Sequence, residues 1–200
     1  MKRLIPILLA ILLPISAHAA SILVWGDSLS AAYGMPQNEA WPALLEQKLR
    51  SGGIPYQVIN ASLSGETTAR GLARLPAALA QYKPDIIVIE LGAVDALHEL
   101  PRKTTQDNLA RMIKMAQKAN AKVLLVAASL PDNFCPNKQK QFQEIFRGAA
   151  DEYKTGFTLL LPEASAHQAD LLQQDAIHPN AKAQPLILSS IWPALKPLIE

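Results

Sequence analysis

Ile22-Leu23-Val24-Trp25-Gly26-Asp27-Ser28-Leu29 joins an apolar run to a turn. The first four side chains suit a strand buried on both faces, and Gly-Asp-Ser is turn chemistry at its carboxyl end. This reading sets Ser28 at the edge of a sheet, outside the backbone ladder, on a tight turn leading into a helix. A hydroxyl near a helix N-terminus faces the positive end of the helix dipole, which favours developing negative charge.

Further along, apolar runs recur at residues 56–60, 85–91, 122–128 and 157–161. Helical patterns span 39–50, 70–81, 106–119 and 138–153, and a last one runs from 181 to 195. Leu109, Met112, Ile113 and Ala116 fall at i, i+3, i+4 and i+7, the stripe of a helix with one buried face. Thr105 is the expected N-cap of that helix. Gly52-Gly53 is expected to close the first helix and Asn120 the third. Five apolar strands alternating with helices imply an α/β domain with a parallel sheet covered on both faces. Right-handed crossovers make such a sheet doubly wound, with strand order 2-1-3-4-5.

In that order strands 1 and 3 flank the point where the winding reverses, and ligands bind there, outside the carboxyl ends of the strands. Ser28, Gly65 and residues 92–95 then share one edge although they are distant in sequence. Asp175-Ala176-Ile177-His178-Pro179 follows the fifth strand and must reach back over the same edge.

The chain has 200 residues and is 50% hydrophobic, enough for one domain with a substantial core. Lys2 and Arg3 precede an almost wholly apolar stretch at 4–15, and Ala17-His18-Ala19 is a small-x-small site. This reads as a secretory signal peptide cut after Ala19, which leaves 20–200 as a single domain in the periplasm or outside the cell. Roughly a dozen apolar residues fall short of the ~20 needed to span a membrane. Removing the leader leaves 17 basic and 17 acidic residues, so no charge excess points to nucleic acid or to an anionic membrane surface. Cys135 is the only cysteine, so no intrachain disulfide can form, and it reads as buried and inert. No metal or cofactor is implied, and a monomer is expected.

A free serine hydroxyl is a poor nucleophile at neutral pH and needs a base. Beyond residue 19 the histidines are His98, His167 and His178. His98 sits beside Glu99, and His178 has an aspartate, Asp175, three residues earlier. That spacing lets Asp175 either bond the imidazole N–H or cap the turn closed by Pro179-Asn180. Asp27 and Asp95 read as carboxylates that fix their loops. Asn60 can brace the edge, Ser62, Ser64 and Thr67 read as loop formers, and Trp25, Trp41 and Leu91 read as core. Segments 96–101 and 130–136 flank the crevice. Their Leu97, Leu100, Leu130 and Phe134 either line an apolar acyl groove or pack as ordinary loop residues.

Four blocks in order carry a family resemblance. They are Gly26-Asp27-Ser28-Leu29-Ser30; Asn60-Ala61-Ser62-Leu63-Ser64-Gly65-Glu66-Thr67 with Gly71-Leu72-Ala73-Arg74-Leu75-Pro76; Glu90-Leu91-Gly92-Ala93-Val94-Asp95; and Asp175-Ala176-Ile177-His178-Pro179 with Ala183-Gln184-Pro185. The chain resembles the GDSL or SGNH hydrolases, which implies the flavodoxin-like SGNH fold. Within that family it is most like the small exported bacterial thioesterases that are also described as lysophospholipases and arylesterases. The resemblance covers essentially everything after the leader. It implies that Ser28 is the nucleophile, His178 the general base and Asp175 the group that orients the imidazole. It also implies an oxyanion hole made by the Ser28 and Gly65 backbone N–H groups and an asparagine side chain. The family pattern at the third block is Gly-x-Asn-Asp; here Val94 stands in the asparagine position and has nothing to donate.

The implied activity is hydrolysis of acyl esters or thioesters through an acyl-enzyme, with rate or substrate altered by Val94. The alternative on the same scaffold is a ligand-binding protein with little or no turnover. An esterase acting on acylated carbohydrate is a third reading, which no aromatic sugar platform supports.

Overall fold

The computed structural model describes residues 20–130, 136–166 and 168–200. The expected leader, Phe134, Cys135 and His167 lie outside the described residues. Five parallel strands form one sheet: β1 (Ala20–Gly26), β2 (Tyr56–Asn60), β3 (Ile86–Glu90), β4 (Lys122–Ala127) and β5 (Gly156–Leu159). Their order is β2-β1-β3-β4-β5, as the strand–helix alternation implies. β1 pairs with β2 on one side and β3 on the other, with Val24 opposite Asn60 and Gly26 opposite Glu90.

The side chains of the central strands divide strictly by period two. Ile22, Val24, Ile86, Val88, Leu124 and Val126 pack against α1 (Trp41–Ser51) and α7 (Gln184–Ile199). Leu23, Trp25, Ile87, Ile89, Val123 and Leu125 pack against α2 (Thr68–Tyr82), α4 (Arg102–Lys118) and α5 (Pro136–Tyr153). The expected stripe of α4, Leu109, Met112, Ile113 and Ala116, is fully buried. Two short helices, α3 (Ala93–Leu97) and α6 (Glu163–Ala166), complete the described elements together with 3-10 turns at Gln37–Glu39 and Ala169–Leu171. Gly52, Gly53 and Asn120 end their helices as expected, the latter two with positive φ.

Three local expectations are corrected. α4 begins at Arg102 after Pro101, so Thr105 lies inside the helix, where its hydroxyl donates to Asp95 at 3.4 Å rather than capping the backbone. Residues 93–97 form a helix, so Ala96 and Leu97 of the 96–101 segment, read as loop, are helical. Ser28 does not stand at a helix N-terminus: the Ser30 and Ala31 N–H groups return to the Asp27 carbonyl in one helical turn, and α1 starts only at Trp41. The chain leaves that turn through Gly34, at φ +70°, and then Pro36, which together prevent it from propagating.

Two buried acids sit under this turn. Glu90 Oε2 accepts the Ser30 hydroxyl at 2.8 Å, and Ser30 Oγ accepts the Trp41 indole N–H at 3.2 Å. Asp27 Oδ1 accepts the Leu29 N–H at 3.0 Å, which closes the turn. Burial raises Asp27 to about 7 against that N–H, and the Asp95 and Glu66 charges add to the rise. Burial and the Asp27 charge lift Glu90 well above the carboxylate range, although the Ser30 hydroxyl and the Asp27 N–H favour its anion.

Truncating Met112 to Ala should lower the unfolding free energy by about 2–5 kcal/mol in urea titrations, while Arg111→Ala on the exposed face stays within about 0.5 kcal/mol. The raised Asp27 contributes stability that is complete below its unfolded value near 3.8 and is lost as pH rises through about 7. Asp27→Asn keeps the acceptor for Leu29 and removes the titration. Its Tm relative to the parent should therefore climb between about pH 4 and 7 and level off above, as followed by circular dichroism.

Candidate active site

The Ser28, His178 and Asp175 side chains come together from the two ends of the chain. Ser28 Oγ lies 2.9 Å from His178 Nε2 across a separation of 150 residues, and His178 Nδ1 lies 2.7 Å from Asp175 Oδ2. Asp175 Oδ1 accepts the Ile177 N–H at 2.9 Å and the His178 N–H at 3.0 Å. The aspartate therefore does both things its spacing allows: one oxygen caps the turn and the other meets the imidazole. Burial pushes the Asp175 carboxyl up, but the two N–H donors and the imidazole outweigh it and hold the group at about 2. An ionised carboxylate only accepts, so Nδ1 carries the imidazole proton and Nε2 is left to accept from the Ser28 hydroxyl.

The loop carrying this pair is a tight hairpin. Gln173 N–H donates to the His178 carbonyl at 2.7 Å, Asn180 N–H to Leu171 at 2.8 Å, and Leu172 and Pro179 form an antiparallel bridge. Ala176 turns the tip at φ +55°, a left-handed conformation that disfavours a side chain. The Tyr33 ring lies on the imidazole, with centroids 4.3 Å apart.

The Gly65 loop reaches the site from β2. Leu63 N–H donates to the Gly26 carbonyl at 3.0 Å, and Gly26 N–H donates to Ser62 Oγ at 3.1 Å, so the loop is tied to the last residue of β1. Asn60 Nδ2 donates to the Ser30 carbonyl at 2.8 Å, which makes it the brace expected of it. Gly65 itself has φ +72°, which any other residue would adopt only with strain. Glu66 is buried and takes two bonds from the Arg74 guanidinium; Arg74 also donates to the Ala61 carbonyl at 2.8 Å and lies 3.6 Å from the Trp25 ring centroid. Thr67 caps α2 by accepting the Arg70 N–H.

Val94 occupies the first turn of α3, nearly buried. Asp95 beside it accepts the Thr68 N–H at 2.8 Å and the Thr68 hydroxyl, and Asn108 Nδ2 supports that hydroxyl at 3.0 Å. Asp95 thus fixes the third block to α2, as a loop-fixing carboxylate should. Ser28, Tyr33, Gly65, Val94, Leu97, His98 and Ile177 line one cavity of about 290 Å³, and among the described residues no carboxylate hydrogen-bonds His98. Leu100 and Leu130 line a separate, neighbouring cavity of about 230 Å³ against α5. Of the residues expected in an acyl groove, Leu97 therefore faces the serine's cavity directly.

Glu90, Arg74 and Tyr33 are the participants that sequence reasoning missed. Glu90 had a visible signal, an acid ending an otherwise apolar strand. Tyr33 had none. Among the described residues no cluster of His, Cys, Asp and Glu could hold a metal ion, and no helix is long and apolar enough to cross a membrane.

The comparisons with known proteins agree with this geometry. Residues 24–185 match the GDSL-like Lipase/Acylhydrolase family. Esterase TesA of Pseudomonas aeruginosa is 43% identical over 189 residues, 94% of each chain. Thioesterase 1/protease 1/lysophospholipase L1 of Escherichia coli is 38% identical over 196 residues, 98% of this chain and 93% of that one. The crystal structure of the psychrotrophic esterase EstA from Pseudoalteromonas sp., inhibited by monoethylphosphonate, superposes with a TM-score of 0.82 at 40% identity, covering 88% of this chain and 97% of that one. The chain belongs to the GDSL-like lipase and acylhydrolase family and is a serine hydrolase of acyl esters.

Proposed function

We propose that Ser28 is the nucleophile, His178 the general base and Asp175 the orienting carboxylate of an acyl-enzyme mechanism acting on acyl esters or thioesters. The observation that carries this reading is the chain of contacts Ser28 Oγ–His178 Nε2 at 2.9 Å and His178 Nδ1–Asp175 Oδ2 at 2.7 Å, opening on an apolar-walled cavity. Ser28 Oγ attacks the acyl carbonyl as Nε2 takes its proton. The imidazolium formed is stabilised by Asp175, which its bonds keep ionised. His178 then protonates the departing alkoxide or thiolate. Water, deprotonated by the same nitrogen, releases the acid. The Ser28 and Gly65 N–H groups hold the oxyanion.

Val94 stands where the family places an asparagine amide. Losing one oxyanion donor costs about 2.7–4 kcal/mol, or about 10²–10³ in kcat, so the expected enzyme is slowed rather than dead. The leader at 1–19 supports action in the periplasm or outside the cell. Acyl-CoA is scarce there, which favours lysophospholipids and other small acyl esters. The valine also keeps a second reading alive, a binding protein whose crevice accepts an apolar ligand.

A fluorophosphonate probe and p-nitrophenyl esters of several chain lengths separate the two readings. The parent protein should label at Ser28 and turn over. Ser28→Ala should lose labelling and at least about 10³ in kcat. Val94→Asn should gain about 10² in kcat if the missing amide is limiting. A parent that resists labelling where Val94→Asn labels would refute the hydrolase mechanism proposed here and favour the binding protein.

A further inference from the structure

We propose that Gln173 is a positioning residue that sets His178 against Ser28 by tying the hairpin of the base to the segment that follows the nucleophile. The inference rests on the roles assigned above to Ser28 and His178. The side-chain amide of Gln173 has two hydrogens, and each meets a carbonyl on a different segment. One goes to Tyr33 at 2.8 Å, on the stretch that continues from Ser28, and the other to Pro179 at 3.1 Å, on the hairpin itself. The Gln173 backbone N–H closes the same hairpin on the His178 carbonyl at 2.7 Å. One residue therefore holds the hairpin shut from inside and docks it to its neighbour.

The neighbour is shaped for this contact. A Cβ on Gly34 would stand 2.2 Å from Gln173 Oε1, and Gly34 has φ +70°, so space and backbone both demand glycine there. The docked residue, Tyr33, is also the one whose ring rests on the imidazole at 4.3 Å. Position matters because the base works only within about 0.5 Å of its productive place, and an error of about 1 Å can cost about 10²-fold. Among the described residues no other side-chain hydrogen bond of this hairpin reaches the Tyr33 segment, where the only further side-chain contact is the His178 ring on Tyr33, and the hairpin tip is exposed, with Ile177 at 40%. The Gln173 side-chain amide hydrogen-bonds only to main-chain carbonyls and to no catalytic side chain, so it acts on the reaction through the place it gives His178.

The test uses the full protein and p-nitrophenyl butyrate. Gln173→Ala and the isosteric Gln173→Glu, which lacks both amide hydrogens, should each lower kcat about 10- to 100-fold with KM within about twofold. Gln174→Ala, the exposed next residue, should match the parent. In a His178→Ala background Gln173→Ala should cost nothing more, because a residue acting through the base has no base left to place. The Ile177 and His178 amides should also lose protection from hydrogen exchange in Gln173→Ala. Unchanged kcat, a loss carried by KM, or an undiminished loss without His178 overturns the inference while the hydrolase reading stands. A parent that neither turns over nor labels counts against the hydrolase reading instead. In that case the amide protection decides on Gln173, and unchanged protection overturns its role. Should Gln173→Ala fail to fold, Gln173→Glu carries the same comparisons.

Discussion

The parallel pairing of β1 with both β2 and β3 is the constraint on which the rest of the structure depends. Because all the strands run the same way, every turn that leaves a carboxyl end emerges on one edge. Because β1 is flanked by strands from later in the chain, the turns after β1, β2 and β3 emerge side by side. The serine turn, the Gly65 loop and the Val94 turn are neighbours for that reason alone. The hydrophobic effect enforces the pairing: β1 and β3 are buried on both faces, and a slip of one residue would move every side chain into the wrong layer.

Polar contacts then fix the loops where the sheet delivers them. Glu66 and Arg74 tie the Gly65 loop to α2, and Asp95 and Thr68 tie α3 to the first turn of the same helix. The Gly65 loop and Val94 are thus mounted on one rigid element, α2. Glu90 and Ser30 hold the serine turn from below. Buried carboxyls are costly unless bonded. Glu66, Glu90 and Asp95 are bonded, Asp27 is bonded through Oδ1 while its Oδ2 has no partner, and the raised Asp27 and Glu90 are lifted chiefly by their removal from water.

The sheet is legible in the sequence because strands buried on both faces are apolar throughout, and alternation with amphipathic helices admits few topologies. The meeting of Ser28, Asp175 and His178 is legible for a different reason: a serine at a strand end is a local pattern, and although Asp-x-x-His occurs at both 95–98 and 175–178, only the second stands in a family block with the following proline. What stays hidden depends on partners distant in the chain. Thr105 has the chemistry of an N-cap, yet Asp95 claims its hydroxyl and Pro101 starts the helix earlier. Residues 93–97 look too short and mixed for a helix, but Gly92 at φ +134° turns the chain so that Ala93 and Val94 are buried. Tyr33 carries no local mark of its place on the imidazole, because its ring's partner, His178, and the glutamine that bonds its carbonyl, 140 residues away, both come from the far end of the chain.

The separation of 150 residues between Ser28 and His178 has a consequence for how the protein comes into being. Ser28, the proposed nucleophile, is therefore synthesised well before His178, the proposed base. Until β5 has joined the sheet and the final hairpin has folded back, the serine is an ordinary alcohol. Under the proposed mechanism, partly made or partly folded chains therefore have no base to activate Ser28, and hydrolytic power arrives only with the finished fold.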